Sequence, residues 1–304
     1  FRLESQFPDL VTPDSPTQRI GGEPSEKFQK AVHERPMISL FDSFSEEDMS
    51  AWQERNANFL KQPYSPDYYC ELKLDGLAVS LRYEGGFLAR GATRGNGQVG
   101  EDVTQNLRTI ASVPLRLRQP SLAELAEIGL TKIAAQRILR LTERGVIEIR
   151  GEAVMAKAVL ASLNKRYAAQ GKPLLANTRN AVAGSIRQLD PKITAERSLD
   201  FYAYDLLLPG QERGETIKKR GQADRLANLL GFKTVKDNCV CRGLEEVFAF
   251  YEAVGKKRAS LPFEIDGVVV KVDDLEMWTV LGVVGKAPRY MMAYKFSAEQ
   301  ATTR

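Results

Sequence analysis

Groups that could do chemistry are concentrated in the segment Glu71-Leu72-Lys73-Leu74-Asp75-Gly76. Read as a strand, the alternation of side chains puts Glu71, Lys73 and Asp75 on one face, with Leu72 and Leu74 behind. Gly76 then lets the chain turn close to a ligand. A lysine attacks poorly while protonated, and burial or nearby cations make it a nucleophile. Phosphorus is a natural target, giving a phosphoramidate. The competing reading of one K-x-D-G is an exposed strand face carrying an ion pair.

Further segments add phosphate- and sugar-binding chemistry. Thr93-Arg94-Gly95-Asn96-Gly97 places an arginine at a strand end beside flexible backbone, where a guanidinium and neighbouring N–H groups can grip phosphate. The alternative is a hairpin end with a solvated arginine. Glu152, after Gly151, suits ribose hydroxyls or a metal-bound water, or is an ordinary edge charge. In Glu264-Ile265-Asp266-Gly267-Val268-Val269-Val270-Lys271 the three valines call for full burial. The lysine that follows must meet an anion or snorkel to solvent. Lys295 alternates with Tyr294 and Phe296, so it lies on the opposite face and can also reach a phosphate.

These groups need strands to carry them and helices to back the strands. Ser45 with Glu46, Glu47 and Asp48 caps a helix through Trp52 and Phe59. Strands are expected at 69–73, 77–83, 87–93, 146–154, 199–206, 263–272 and 290–296, with Gly85-Gly86 turning the second into the third. Helices are expected at 102–110, 156–169, 215–230 and 244–258, with one or two amphipathic helices over 118–145. Residues 1–24 read as a loop or extended lead-in. Hairpin-joined strands with helices in blocks give an α+β fold with largely antiparallel sheets.

The totals agree with a soluble globular protein: 304 residues, 43% hydrophobic and 27% charged. Net charge is +4, mildly basic, which permits anionic partners without requiring them. No apolar run is long enough to span a membrane and no signal peptide is evident. Cys70, Cys239 and Cys241 lack paired C-x-x-C spacing. They read as small buried hydrophobes in a reducing cytoplasm, and no zinc site is expected within this segment. The chain opens at Phe1, so a piece of a longer protein is expected.

In order along the chain, Lys73-Leu74-Asp75-Gly76, Arg94-Gly95, Glu152, Tyr202-Ala203-Tyr204-Asp205, Asp266-Gly267-Val268-Val269-Val270-Lys271 and Lys295 resemble the motifs of the covalent nucleotidyltransferases. That group includes DNA ligases, RNA ligases and mRNA capping enzymes. Thr12-Pro13-Asp14-Ser15-Pro16-Thr17-Gln18, Cys70 through Ala78, Gly100-Glu101-Asp102-Val103-Thr104 and Arg187-Gln188-Leu189-Asp190-Pro191 resemble one branch more closely: the adenylation domain of bacterial NAD-dependent DNA ligases.

The resemblance implies a nucleotidyltransferase (ATP-grasp-like) fold of two mainly antiparallel sheets flanking a nucleotide cleft, with surface helices. Residues 1–24 would be the tail of a nicotinamide mononucleotide (NMN)-binding subdomain and its linker. Residues 25–304 would be the adenylation domain, with 118–145 as a helical insert. Lys73 would attack the α-phosphate of NAD, NMN would leave, and AMP would pass to the 5′-phosphate of nicked double-stranded DNA. Glu71 would contact the adenine amino group, and Arg94 and Glu152 the ribose. Lys271 and Lys295 would hold the α-phosphate, and Ser39-Leu40 would make a further NAD contact. Asp75 and Asp266 belong to the motifs. Arg179, Arg187 and Arg258 match positions used for DNA phosphates or NMN, against the alternative of solvated surface charge. Mg2+ or Mn2+ would assist, and neighbouring cations would keep Lys73 partly neutral. Zinc cysteines are expected only beyond residue 304, in a monomeric cytoplasmic bacterial enzyme working at the nucleoid.

The Tyr-His pair and Asp-x-x-Tyr-Asp segment that grip NMN in the family have no match here, and His33 is the only histidine. The isolated chain is therefore expected to react poorly with NAD and not to seal nicks. Asn177-Thr178-Arg179-Asn180 has Thr where the family usually has Pro. Three rival readings remain: an ATP-dependent ligase or RNA ligase of the same superfamily, a non-catalytic DNA-binding module, and a small-molecule-binding or structural domain with chance motifs.

Overall fold

The computed structural model describes all residues except 1–3, 5, 8, 10, 21–26, 286 and 298–304. The lead-in residues Gly21, Gly22 and Pro24 therefore lie outside the described residues. In chain order the strands are β1 (Lys30–Val32), β2 (Asp42–Ser43), β3 (Asp67–Leu74), β4 (Leu77–Glu84), β5 (Phe87–Thr93), β6 (Val99–Glu101), β7 (Val146–Val154), β8 (Asp200–Leu207), β9 (Cys239–Arg242), β10 (Ile265–Val272), β11 (Val283–Val284), β12 (Ala287–Pro288) and β13 (Met291–Lys295). The helices are α1 (Glu46–Leu60), α2 (Thr104–Arg108), α3 (Leu122–Glu127), α4 (Lys132–Arg144), α5 (Lys157–Ala169), α6 (Thr178–Ile186), α7 (Pro191–Ala195), α8 (Arg220–Leu229), α9 (Gly243–Lys257) and α10 (Leu275–Leu281). Pro16–Ile20 form a short 3-10 turn.

The chain divides into two compact units, one of 1–37, 75–211 and 222–234, the other of 38–74, 212–221 and 235–304. The first unit is built on a four-stranded antiparallel sheet in the order β5-β4-β7-β8. Its inward faces carry Val79, Leu81, Ile149 and Phe201, all without exposure. Gly76 sits where an added β-carbon would lie 2.1 Å from the carbonyl oxygen of Ala153. The protein's own backbone thus approaches Gly76 too closely for a side chain.

The segment 118–145 forms two helices of this unit. Ser121 and Glu124 make a reciprocal capping box on α3, and Thr131 caps α4 by accepting from the Ala134 N–H. Leu125 and Ile138 are fully buried. Gln222 Nε2 donates to the Gly129 carbonyl at 2.9 Å, and Arg118 Nη1 to that of Leu229 at 3.1 Å.

The second unit is built on a five-stranded sheet in the order β2-β13-β10-β3-β9, antiparallel except for the parallel β13–β2 pair. Val268, Val270 and Val272 are fully buried and Val269 nearly so, as the run of valines requires. Cys70 lies opposite Cys239 in the β3–β9 register, and the Cys239 and Cys241 sulfurs are 3.9 Å apart. The contact with Cys241 and then burial push the Cys239 thiol up.

The expected helix over 215–230 begins only at Arg220. The backbone ahead of it is committed elsewhere: Leu275 N–H donates to the Lys218 carbonyl at 2.9 Å and Arg220 N–H to that of Asp273 at 2.7 Å. A helix through 218–220 would break both bonds.

Candidate functional site

Strand β10 lies between β3 and β13, and the register fixes which groups share a face. Gly267 is opposite Lys73 on one side and Lys295 on the other. One row across three strands therefore reads Lys73, Gly267, Lys295, with all three on the same face. The backbones of the two lysines are about 9.5 Å apart, two strand spacings, with no side chain between them. A β-carbon on Gly267 would lie 2.3 Å from the Tyr294 carbonyl oxygen, so the gap is built into the backbone packing. The next row on this face holds Glu71, Val269 and Ala293, and the one after it Tyr69, Lys271 and Met291.

Each of these lysines rests on a carboxylate. Lys73 Nζ donates to both oxygens of Asp266, at 2.9 and 2.8 Å. Lys295 Nζ is 2.8 Å from Asp42 Oδ2. Lys271 Nζ donates to Glu71 Oε2 at 2.6 Å, and Arg220 Nη2 lies 2.8 Å from Glu71 Oε1. The Lys73–Asp266 and Lys295–Asp42 pairs are part-exposed, whereas Glu71, Lys271 and Arg220 are buried.

Two expectations change here. Cations were expected around Lys73, but the group on its nitrogen is the Asp266 carboxylate, carried by the neighbouring strand. Lys271 was expected at the phosphate with Lys295. Its position is four residues along β10 from the Lys73 row, about 13 Å. Its nitrogen goes to Glu71 instead, so the buried lysine has found its anion rather than snorkelling.

The remaining second-unit residues lie nearby in sequence but do different things. Ser39 is exposed and Leu40 half-buried in the irregular segment before β2. Arg258 Nε donates to the Ile265 carbonyl at 3.1 Å and its guanidinium lies 5.4 Å from the Phe296 ring centre, so it is engaged at the start of β10.

In the first unit, Glu152 is interior to β7, paired with Ala78 on β4 and Tyr202 on β8, not an edge charge. Desolvation and then the Glu152 charge push the Tyr204 hydroxyl up. Arg94 is exposed just past β5, at the turn where Gly97 N–H donates back to its carbonyl at 3.0 Å. Asp75 falls outside β3 and so leaves the Glu71–Lys73 face. Its Oδ1 accepts from Arg179 Nη1 at 2.8 Å. Arg187 pairs with Glu101 through both Nε and Nη2, and lines a shallow pocket with Phe28, Gly184 and Gln188. The helix α6 that carries Arg179 is capped by Asn177, whose side chain accepts from the Asn180 N–H, while Thr178, in the family's proline position, is buried.

Sequence reasoning missed three polar groups. Asp42 and Arg220 hold site residues, and Arg150 holds backbone. Arg150 is buried on Glu148 at 2.7 Å and donates to the carbonyls of Arg35 and Pro36. Among the described residues no group of three or more His, Cys, Asp or Glu is placed to hold a metal ion. Among them no helix is long and apolar enough to cross a membrane.

The family model described as NAD-dependent DNA ligase adenylation domain matches residues 25–144 and 131–299, two stretches that overlap over residues 131–144. The DNA ligase of Shouchella clausii is 44% identical over 303 residues, covering all of this chain and 41% of that protein. That of Chloroflexus aurantiacus is 45% identical over 302 residues, covering 99% of this chain and 41% of that protein. The chain thus spans about two-fifths of the length of these relatives. An archaeal ATP-dependent RNA ligase structure is similar at a TM-score of 0.39 and 14% identity, over 86% of this chain and 48% of that one.

Proposed function

The chain belongs to the NAD-dependent DNA ligase adenylation-domain family, and from that premise we propose that Lys73 takes AMP from NAD onto its side-chain nitrogen. The observation that carries this reading is the Lys73–Gly267–Lys295 row, with a nucleophile and a cation on either side of an empty floor. In the step, a P–N bond forms between Lys73 Nζ and the α-phosphorus. The P–O bond to NMN breaks, and NMN leaves with that electron pair. Lys73 must shed a proton to attack, and Asp266, already accepting from it, is the group placed to take one. Lys295 offsets charge on the equatorial oxygens. Phosphate arriving on this face replaces Asp42 as its partner.

Glu71 reads the adenine amino group one row away from Lys73. Lys271, bound to Glu71, serves that base end, which revises its expected phosphate role. Arg94 and Glu152 hold the ribose, and Ser39 and Leu40 make a further contact with NAD. A divalent cation would supply Lewis acidity at the phosphates. With no carboxylate cage among the described residues, phosphate oxygens and water would be its main ligands. Transfer of AMP to the 5′-phosphate of nicked DNA, and sealing, are proposed for the longer protein. There Arg179, Arg187 and Arg258 would exchange their present partners for phosphates of DNA or NMN.

The test is which nucleotide adenylates the longer protein. NAD with Mg2+ is expected to add one AMP and ATP none, and added NMN, not pyrophosphate, should remove it. Adenylation by ATP, reversed by pyrophosphate, would put the chemistry in the ATP-dependent branch. DNA binding that weakens with salt, without covalent AMP from either nucleotide, would leave a binding module.

A further inference from the structure

We propose that Arg220 is a positioning residue for base specificity: it fixes Glu71 as a hydrogen-bond acceptor that accepts a 6-amino purine and rejects a 6-oxo purine. The inference rests on Glu71 facing the base. Glu71 is buried in the middle of β3, with Lys271 on Oε2 and Arg220 on Oε1. Lys271 comes from the adjacent strand, but Arg220 arrives from a separate segment tied to Asp273 and Tyr69. Its N–H donates to the Asp273 carbonyl, and the next residue, Gly221, donates to Asp273 Oδ1 at 3.0 Å. Its guanidinium lies 5.3 Å from the Tyr69 ring centre. At 1% exposure it is among the most deeply buried large side chains described.

A carboxylate with a cation on each oxygen has little freedom to rotate, and its remaining lone pairs can only accept. Adenine offers an N–H donor at position 6, and the match is good. Hypoxanthine offers a carbonyl oxygen there, and two acceptors would face each other in a buried place. That is how a polar site rejects a near-isostere more strongly than packing can. Lys271 alone would leave Oε1 unheld, and the carboxyl could then turn or bind a proton and donate to the 6-oxygen.

The experiment compares nucleotidyl transfer to the longer protein from NAD, which adds AMP, and from nicotinamide hypoxanthine dinucleotide, which adds IMP, read by intact mass. It uses wild type, Arg220→Met and Arg220→Lys. The wild type should prefer NAD strongly. Arg220→Met should reduce the NAD preference by roughly tenfold or more. Arg220→Lys should fall between, because lysine keeps the charge but is a shorter side chain than the arginine whose Nη2 lies 2.8 Å from Oε1. A purely structural role would slow both dinucleotides equally, and an unchanged ratio in the folded variants would overturn the proposal. If Arg220→Met does not fold, an unchanged ratio in Arg220→Lys alone overturns it. Wild type that takes AMP but shows no preference would overturn it while leaving the Lys73 reading intact. Wild type that takes no AMP from NAD would overturn both.

Discussion

A carboxylate sits on each of Lys73, Lys271 and Lys295, so cationic groups that look available in the sequence are already partnered in the fold. That pairing could not be read from motif spacing, because Asp42 is 253 positions from Lys295 along the chain while β2 and β13 are neighbours in the sheet. Arg220 was equally hidden. It ends a Lys-Lys-Arg run that looks like a solvated turn, and only the backbone bonds of 218–220 to 273–275 turn it inward. Another buried polar group has a pH consequence. His33 Nε2 is 3.1 Å from the Thr93 carbonyl oxygen, and desolvation lowers its pKa from 6.5. The unfolded chain therefore binds more protons than the folded one in the window just below pH 6.5. Stability should rise with pH through that window and level off above it. Thermal melts between about pH 5 and pH 7.5 should show a shallower slope for His33→Gln than for wild type. Equal slopes would mean His33 is not a source of the pH dependence.

Elements with strong alternation were legible and those with short or mixed patterns were not. β3, β4, β5 and β7 follow from period-two sequence and the Gly85-Gly86 turn, and α1 from its Ser45 cap and acidic first turn. β2 and β9, of two and four residues, carry too little pattern to announce themselves. Their strand character comes from pairing with β13 and β3. α6 and α7 could have been found from Asn177 and from Asp190-Pro191, both of which cap helices here. The helices of 118–145 were legible from their apolar spacing, and their burial makes them part of the unit's core rather than a loose excursion. Ile138→Ala, in α4, should destabilise the protein by about 2–5 kcal/mol in chemical denaturation. A change near zero would mean that α3 and α4 pack without contributing to the core.

At the scale of the molecule, the motif residues fall in both compact units. Glu71, Lys73, Asp266, Lys271 and Lys295 belong to one, and Arg94 and Glu152 to the other. Motif order along the chain singled them out as candidates, although composition and a net charge of +4 alone would have permitted many functions. The central claim concerns one nitrogen among the chain's many lysines and arginines, so it is tested by locating the nucleotide. The longer protein is incubated with NAD and Mg2+, digested, and the peptides sequenced by tandem mass spectrometry, beside Lys73→Ala. The account predicts one AMP on Lys73 in the wild type and none anywhere in Lys73→Ala. AMP on a different residue, or undiminished labelling of Lys73→Ala, would contradict it.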